Sequence, residues 1–149
     1  MNGVETMKIL IGSDHAGFDL KEEIRVHLED KGHEIEDYGT RDRQSCDYND
    51  VARPLAEDIA RGKAPCGILI CGTGIGMSIQ ANKVKGVRAA HVQDVYSAKA
   101  SRLHNNANIL TLGGRVVGPE HAKVIVDAWL ETEFSGEERH ARRVKKFED

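Results

Sequence analysis

No apolar run in this chain approaches the ~20 residues that a bilayer-spanning helix requires. The longest, such as Gly67-Ile68-Leu69-Ile70-Cys71, is a quarter of that length, so no transmembrane helix and no membrane partner is expected. The opening Met1-Asn2-Gly3-Val4-Glu5-Thr6 lacks the basic and apolar regions of a secretory signal and reads as a short tail, residues 1–6, ahead of a single domain over 7–149. Cysteine is scarce. Cys46, Cys66 and Cys71 form an odd set with no Cys-x-x-Cys pair, which argues against a disulfide framework and a zinc knuckle and points to a reducing cytoplasm. A basic excess is also missing: 21 Lys and Arg stand against 24 Asp and Glu, a formal charge of −3. General attraction to nucleic acid or an anionic membrane is therefore excluded, and any basic site must be local. The chain shows no internal repeat, linker or low-complexity tract.

What is present is one alternating pattern. The length of 149 residues suits one core, and a domain of that size hides roughly 70% of the surface its unfolded chain exposes. Lys8 to Gly12 is a short apolar run, followed by Leu20, Ile24 and Leu28 at helical spacing and closed by Gly32. A second strand over Glu34 to Gly39 leads through a polar loop to a helix carrying Val51, Leu55 and Ile59. Pro54 removes a donor there, so this helix is expected to start late or to kink. Gly67 to Cys71 has the continuous apolar character of a strand buried on both faces. Strands at Val87 to Val92 and Asn108 to Leu112 then alternate with helices at Gly76 to Lys83, Val95 to Leu103 and from Pro119 through Trp129. The order predicts an α/β fold: a single-domain Rossmann-like three-layer sandwich around a five-stranded parallel sheet. The charged segment Glu137 to Asp149 reads equally as a helical tail packed on a neighbour or as a solvated tail.

Ligands of open parallel sheets bind outside the carboxyl ends of the strands. Three polar groups are assigned to that locus: Ser13-Asp14-His15, the loop Cys71 through Ser78, and His104-Asn105-Asn106 together with Gly113-Gly114-Arg115. The loop Gly72-Thr73-Gly74-Ile75-Gly76 does not fit a dinucleotide fingerprint, whose third glycine would fall at Met77. It also lacks the Gly-Lys-Ser/Thr of a Walker loop and the arginine of a cysteine phosphatase. Two readings remain, a tight turn or a backbone cradle for an oxyanion or phosphate at a helix start. Cys71 enters this loop, where amide dipoles favour a thiolate and a base poised near working pH is the effective one. Cys66 and Cys46 are read as structural or incidental. His15 and His104 abut polar partners and suit donor, acid or base roles. Histidines 27, 33, 91 and 121 read as surface or packing residues. No metal is expected, since no His-x-x-x-His or paired-cysteine spacing occurs. Arg139 and Arg143 are four apart and would share a helix face as a fork for a phosphate dianion.

Together the blocks Gly12-Ser13-Asp14-His15-Ala16-Gly17, Cys71 to Ser78, Ala81-Asn82-Lys83, Ser101 to Asn108, Gly114 to Gly118 and Arg139-His140-Ala141-Arg142-Arg143 resemble the ribose-5-phosphate isomerase B family, which includes galactose-6-phosphate isomerase subunits. The likeness runs through nearly the whole chain from Met7. It implies an aldose-ketose isomerase that needs no cofactor and works on an open-chain sugar phosphate through an enediolate. On that pattern Cys71 moves the proton between C1 and C2; another branch carries a carboxylate near the position of Ser78. The amides of Gly72, Gly74, Ile75, Gly76, Met77 and Ser78 match the anion hole, and Thr73 a substrate hydroxyl contact. His104 matches the ring-opening residue, Asp14 and His15 substrate and phosphate contacts, Asn105 a sugar contact, and Arg115, Arg139 and Arg143 phosphate binding. Tyr48 is a candidate sugar-stacking residue. Members are homodimers or tetramers with shared sites, which implies Cys71, Thr73, Asp14 and His15 from one subunit and His104, Asn105 and Arg115 from the other. Two departures stand out: Asn49 where the family often has proline, and Glu137-Glu138 where it often has Gly-Gly. Ribose 5-phosphate is the leading substrate; galactose 6-phosphate, allose 6-phosphate and tetrose phosphates are the alternatives within the class. A non-catalytic phosphate or nucleotide sensor is the alternative outside it.

Overall fold

A computed structural model describes residues 5–148. Most of the expected 1–6 tail thus lies outside the described residues; Glu5 and Thr6 carry no regular structure. The elements run β1 (Lys8–Ser13), α1 (Phe18–Asp30), β2 (Glu34–Asp37), α2 (Asn49–Ala60), β3 (Cys66–Cys71), α3 (Ile75–Ala81), β4 (Ala89–His91), α4 (Val95–Leu103), β5 (Ile109–Gly113), α5 (Pro119–Glu131) and α6 (Glu138–Lys146). All four strand pairings are parallel, in the order β2-β1-β3-β5-β4, as the alternation demands. The three central strands carry the longest apolar runs because both their faces are covered; every residue of β3 and β5 is buried.

Helices α1, α4 and α5 cover one face of the sheet, and α2 and α3 the other. The sides follow the direction of travel. The steps β1 to β2 and β4 to β5 go one way across the sheet and use the first face, whereas β2 to β3 and β3 to β4 go the other way and use the second. One hand of crossover throughout requires this arrangement. Around Trp129, which is wholly buried, Ile24, Ile68, Leu110 and Ile125 form the core of the first face; Leu10, Leu55, Leu69 and Met77 form that of the second. The indole Nε1–H of Trp129 donates to Ser101 Oγ at 3.1 Å, so the ring is buried without an orphaned donor.

Two features differ from the expected pattern. Helix α2 begins at Asn49, five residues ahead of Pro54, and does not start late. Both Pro54 and Asp50, whose carbonyl loses its helical donor, are exposed, so the missing bond leaves no buried polar group behind. The second is Lys21, a fully buried amine on α1. Its Nζ donates to both carboxylate oxygens of Asp37 at 2.8 Å and to the Thr40 carbonyl at 2.7 Å. This pair, with Ser13 N–H on the Gly39 carbonyl and Thr40 N–H on the Ser13 carbonyl, straps the chain after β2 to the carboxyl end of β1.

Candidate active site

The loops after β1, β3 and β5 converge at the carboxyl edge, and backbone bonds zip them together. Asp14 N–H donates to the Ile70 carbonyl at 3.2 Å, Gly114 N–H to that of Cys71 at 2.8 Å and Arg115 N–H to that of Gly72 at 3.0 Å. Such approach needs glycine: a Cβ at Gly17 would stand 2.4 Å from the Ile70 oxygen. Within this frame the thiol of Cys71, 5% exposed, accepts the Gly74 N–H at 3.1 Å. Gly74 can deliver that amide because it adopts φ +84, a conformation favourable only without a side chain, and because a Cβ there would collide with the His91 ring at 2.8 Å. Cys66 is the contrasting thiol. Burial pushes it up to about 11, its Sγ rests near Met7 Sδ, and it faces away from the loop.

The next amides divide by what already occupies them. Ile75 N–H donates to Thr73 Oγ1 at 3.1 Å, and Ser78 N–H to the Gly74 carbonyl as the first helical bond. The amides of Gly76 and Met77 are left without a backbone acceptor among the described residues, together with the exposed Thr73 side chain. This narrows the expected cradle: the Ser78 amide is engaged in the helix, and the Met77 side chain lies fully in the core. Tyr48 packs on the loop from α2, so closely that a Cβ at Gly76 would meet its ring at 2.5 Å. The absence of proline at Asn49 therefore does not draw Tyr48 away.

Asp14 is 5% exposed, with Oδ1 accepting the Gly17 N–H at 3.0 Å, a bond that closes the turn into α1. His15 Nδ1 accepts the Cys46 N–H at 3.2 Å. A ring nitrogen that accepts carries no proton, so the neutral ring presents Nε2–H as a donor. Arg115 lies against the glycine loop of its own chain, 3.6 Å from where a Gly72 Cβ would stand. That differs from the expected grouping of Arg115 with His104. The cause is the continuation of β3-β5 pairing into the two loops.

His104 and Asn105 are elsewhere. In the register of β3 with β5, Gly67 faces Ile109 and Cys71 faces Gly113, so residues preceding Ile109 lie at the amino edge. Helix α4 descends from the carboxyl edge after β4 and ends at His104, and Asn106 turns the chain back into β5 with φ 50, a conformation Asn tolerates. His104 and Cys71 of one chain therefore occupy opposite edges of the sheet. This corrects the expectation that all three polar groups meet at the carboxyl ends: α4 runs antiparallel to the strands, and its last residue must be at the far end. Within the charged tail Glu138–Lys146 is helical, and the only buried side chain of that helix, His140, stacks on His104 with ring centroids 4.6 Å apart. Arg139 and Arg143 consequently travel with His104. Arg139 is ion-paired to Glu137, one of the two glutamates that depart from the family pattern.

A groove of about 820 Å³ opens at this amino edge, lined among others by Lys83, Lys85, Arg88, Asn105 and Phe147. Three of the remaining histidines also find polar neighbours that the sequence does not reveal: His27 Nε2 contacts Asp127 at 2.9 Å, His33 Nδ1 accepts the Met7 N–H at 3.2 Å, and His91 lies beneath Gly74 with Nδ1 3.4 Å from Thr111 Oγ1. Among the described residues no group of three His, Cys, Asp or Glu side chains could hold a metal ion. No helix among them is long and apolar enough to cross a membrane.

Residues 9–147 match the Ribose/Galactose Isomerase family. The chain belongs to that family. It is 50% identical over 138 residues to ribose-5-phosphate isomerase B of Escherichia coli, covering 93% of this chain and 92% of the relative. A D-erythrulose-4-phosphate isomerase of Pectobacterium atrosepticum is 50% identical over 131 residues, 87% of this chain and 86% of that one. Among solved structures, ribose-5-phosphate isomerase B of Clostridium thermocellum superposes with a TM-score of 0.93 at 53% identity, covering 95% of each chain. The fold class read from the alternation is thus borne out, and the chain is an isomerase.

Proposed function

We propose that the protein interconverts ribose 5-phosphate and ribulose 5-phosphate by proton transfer through an enediolate, without a cofactor. The observation that carries this reading is the Cys71 thiol held by the Gly74 amide beside two unengaged amides. Removing a proton next to a carbonyl creates an oxyanion, and each preorganised donor at such an oxygen is worth about 3 to 4 kcal/mol. Cys71 takes the proton from C2 of the aldose and returns it to C1, while the hydroxyl proton on O2 passes to O1, so that the carbonyl moves from C1 to C2. The Gly76 and Met77 amides hold the developing oxyanion, and Thr73, Asp14 and Tyr48 orient the sugar. The phosphate, remote from the reacting carbons, supplies the binding energy that keeps C1 and C2 against the thiol.

The opposite placement of Cys71 and His104 supports a site shared between two copies. One protomer brings Cys71, the glycine loop, Asp14, His15 and Arg115; its partner brings the ring-opening imidazole, a sugar contact and the two tail arginines. A twofold axis that turns one carboxyl edge toward the other chain's amino edge forms two identical sites. The names of relatives acting on a four-carbon substrate give a second reading specific support, since the same chemistry serves any chain with a carbonyl at C1 or C2. Deuterium uptake at C2, followed by NMR for ribose 5-phosphate, a tetrose 4-phosphate, allose 6-phosphate and galactose 6-phosphate in D2O, separates them. Fastest uptake with the tetrose phosphate would replace the pentose reading, and uptake with none would replace isomerisation by a sensor role.

A further inference from the structure

Helix α6 is strongly polar, and among its residues only His140, 7% exposed, is buried. Its ring is held from two sides. One face lies on the His104 ring at 4.6 Å between centroids and 37° between planes. At its edge Nδ1 is 2.8 Å from Ser135 Oγ, which also accepts the Glu137 N–H at 3.2 Å, while Ser135 N–H donates to the Leu103 carbonyl at 3.1 Å. Ser135 thus joins the last turn of α4 to the first turn of α6, and His140 completes the joint beside the residue at which α4 ends. The flanking residues Arg139 and Arg143 are exposed and have no comparable packing.

We propose that His140 is a positioning residue: its stack and its bond to Ser135 dock α6 on α4, fix the ring plane of His104, and make the tail arginines and the ring-opening imidazole one mechanical unit. The proposal rests on the reading that His104 opens the sugar ring. Aldopentose 5-phosphates close to furanoses through the C4 hydroxyl. Ribulose 5-phosphate cannot close, because the hydroxyl it would use carries the phosphate. Exchange of its C1 proton with solvent therefore reports proton transfer without ring opening, whereas conversion of ribose 5-phosphate includes both steps. The fixed orientation of an imidazole matters only to the step in which that imidazole transfers a proton.

The test compares wild type with His140→Ala and His140→Phe at saturating substrate, alongside hydrogen-deuterium exchange of the α6 amides. His140→Ala is expected to lose protection over residues 138–146. It should slow conversion of ribose 5-phosphate about tenfold, the scale of a lost orientation effect, while C1 exchange in ribulose 5-phosphate changes less than about threefold. His140→Phe keeps an aromatic ring on His104 but gives up the Ser135 bond, and is expected to restore part of the conversion and the protection. Unchanged α6 protection in His140→Ala, equal losses in the two reactions, or a phenylalanine variant as impaired as the alanine one would each overturn the proposal. Were wild type to exchange neither substrate, the isomerase reading would fail by itself, and the amide protection would still decide whether His140 docks the helix.

Discussion

Subunit complementation follows from the geometry of the sheet. Strand β5 has five residues, and its first and last are level with Gly67 and Cys71 of β3. At about 3.3 Å per residue the two edges are about 13 Å apart along the strands, several times the ~3 Å reach of a proton transfer. His104, which precedes β5 by several residues, therefore cannot serve a sugar bound at Cys71 of its own chain. On the proposed shared site, Cys71→Ala is expected to disable the carboxyl-edge half of a site and His104→Ala the amino-edge half. In a mixed dimer both lesions fall in one site and the other site is wholly wild type. If subunits exchange at random, half of the dimers are mixed, each with one working site of two, so about a quarter of wild-type activity returns from two inactive parents. The assay is turnover of ribose 5-phosphate after mixing, with exchange verified by mass-tagged subunits. Verified exchange with no recovery would refute the opposite-edge argument and place both residues in a single-chain site.

The remaining predictions concern the anion clamp, the strap and pH. Arg139→Ala and Arg143→Ala should each raise KM and weaken inhibition by inorganic phosphate, with Lys145→Ala as the unaffected control; Glu137→Gln should tighten that inhibition about two- to threefold, the scale of an exposed ion pair worth ~0.5 kcal/mol. An unchanged inhibition constant in all of these variants would remove the tail from phosphate binding. Lys21→Met leaves Asp37 and the Thr40 carbonyl without their buried donor and should cost about 3 kcal/mol in urea unfolding, with partial recovery in the Lys21→Met, Asp37→Asn double variant; a loss below ~1 kcal/mol would contradict the role given to this strap. Burial is the first cause that holds both His33 and His140 below the usual imidazole range, reinforced for His140 by Arg139. A proton then prefers the unfolded chain, so this contribution to stability is fully present above about pH 6.5 and is lost as pH falls below it. Urea midpoints at pH 7.5 and 5.5 measure it, and replacing His33 by Gln should flatten the difference.

Legibility in the sequence tracked local pattern closely and long-range placement poorly. The runs Gly67 to Cys71 and Asn108 to Leu112 announce strands buried on both faces, and the alternation with helices suffices for a parallel three-layer sandwich. The glycine loop is likewise readable, because a thiol followed by three alternating glycines has few geometries available. What failed was direction across the sheet. His104 sits near the start of β5 in sequence, and its distance from Cys71 becomes evident only when α4 is seen to run down the sheet. The same gap hid Lys21, whose charged character suggests an exposed helix face although it closes onto Asp37 from another element. Charge also masked α6: its arginines and lysines carry no apolar stripe, and its one buried side chain is a histidine that meets another histidine from a separate helix and a serine from the preceding loop.

The most direct measurement of the central claim is deuterium exchange at C1 of ribulose 5-phosphate by wild type and Cys71→Ala, with phosphate-ligand binding followed in parallel by calorimetry. The account predicts that exchange in the variant falls by 10² to 10⁴-fold, the worth of a positioned base, while binding stays within about threefold because the amides of Gly76 and Met77 and the arginines remain. Retention of more than about a tenth of the exchange rate would contradict the assignment of Cys71 as the base.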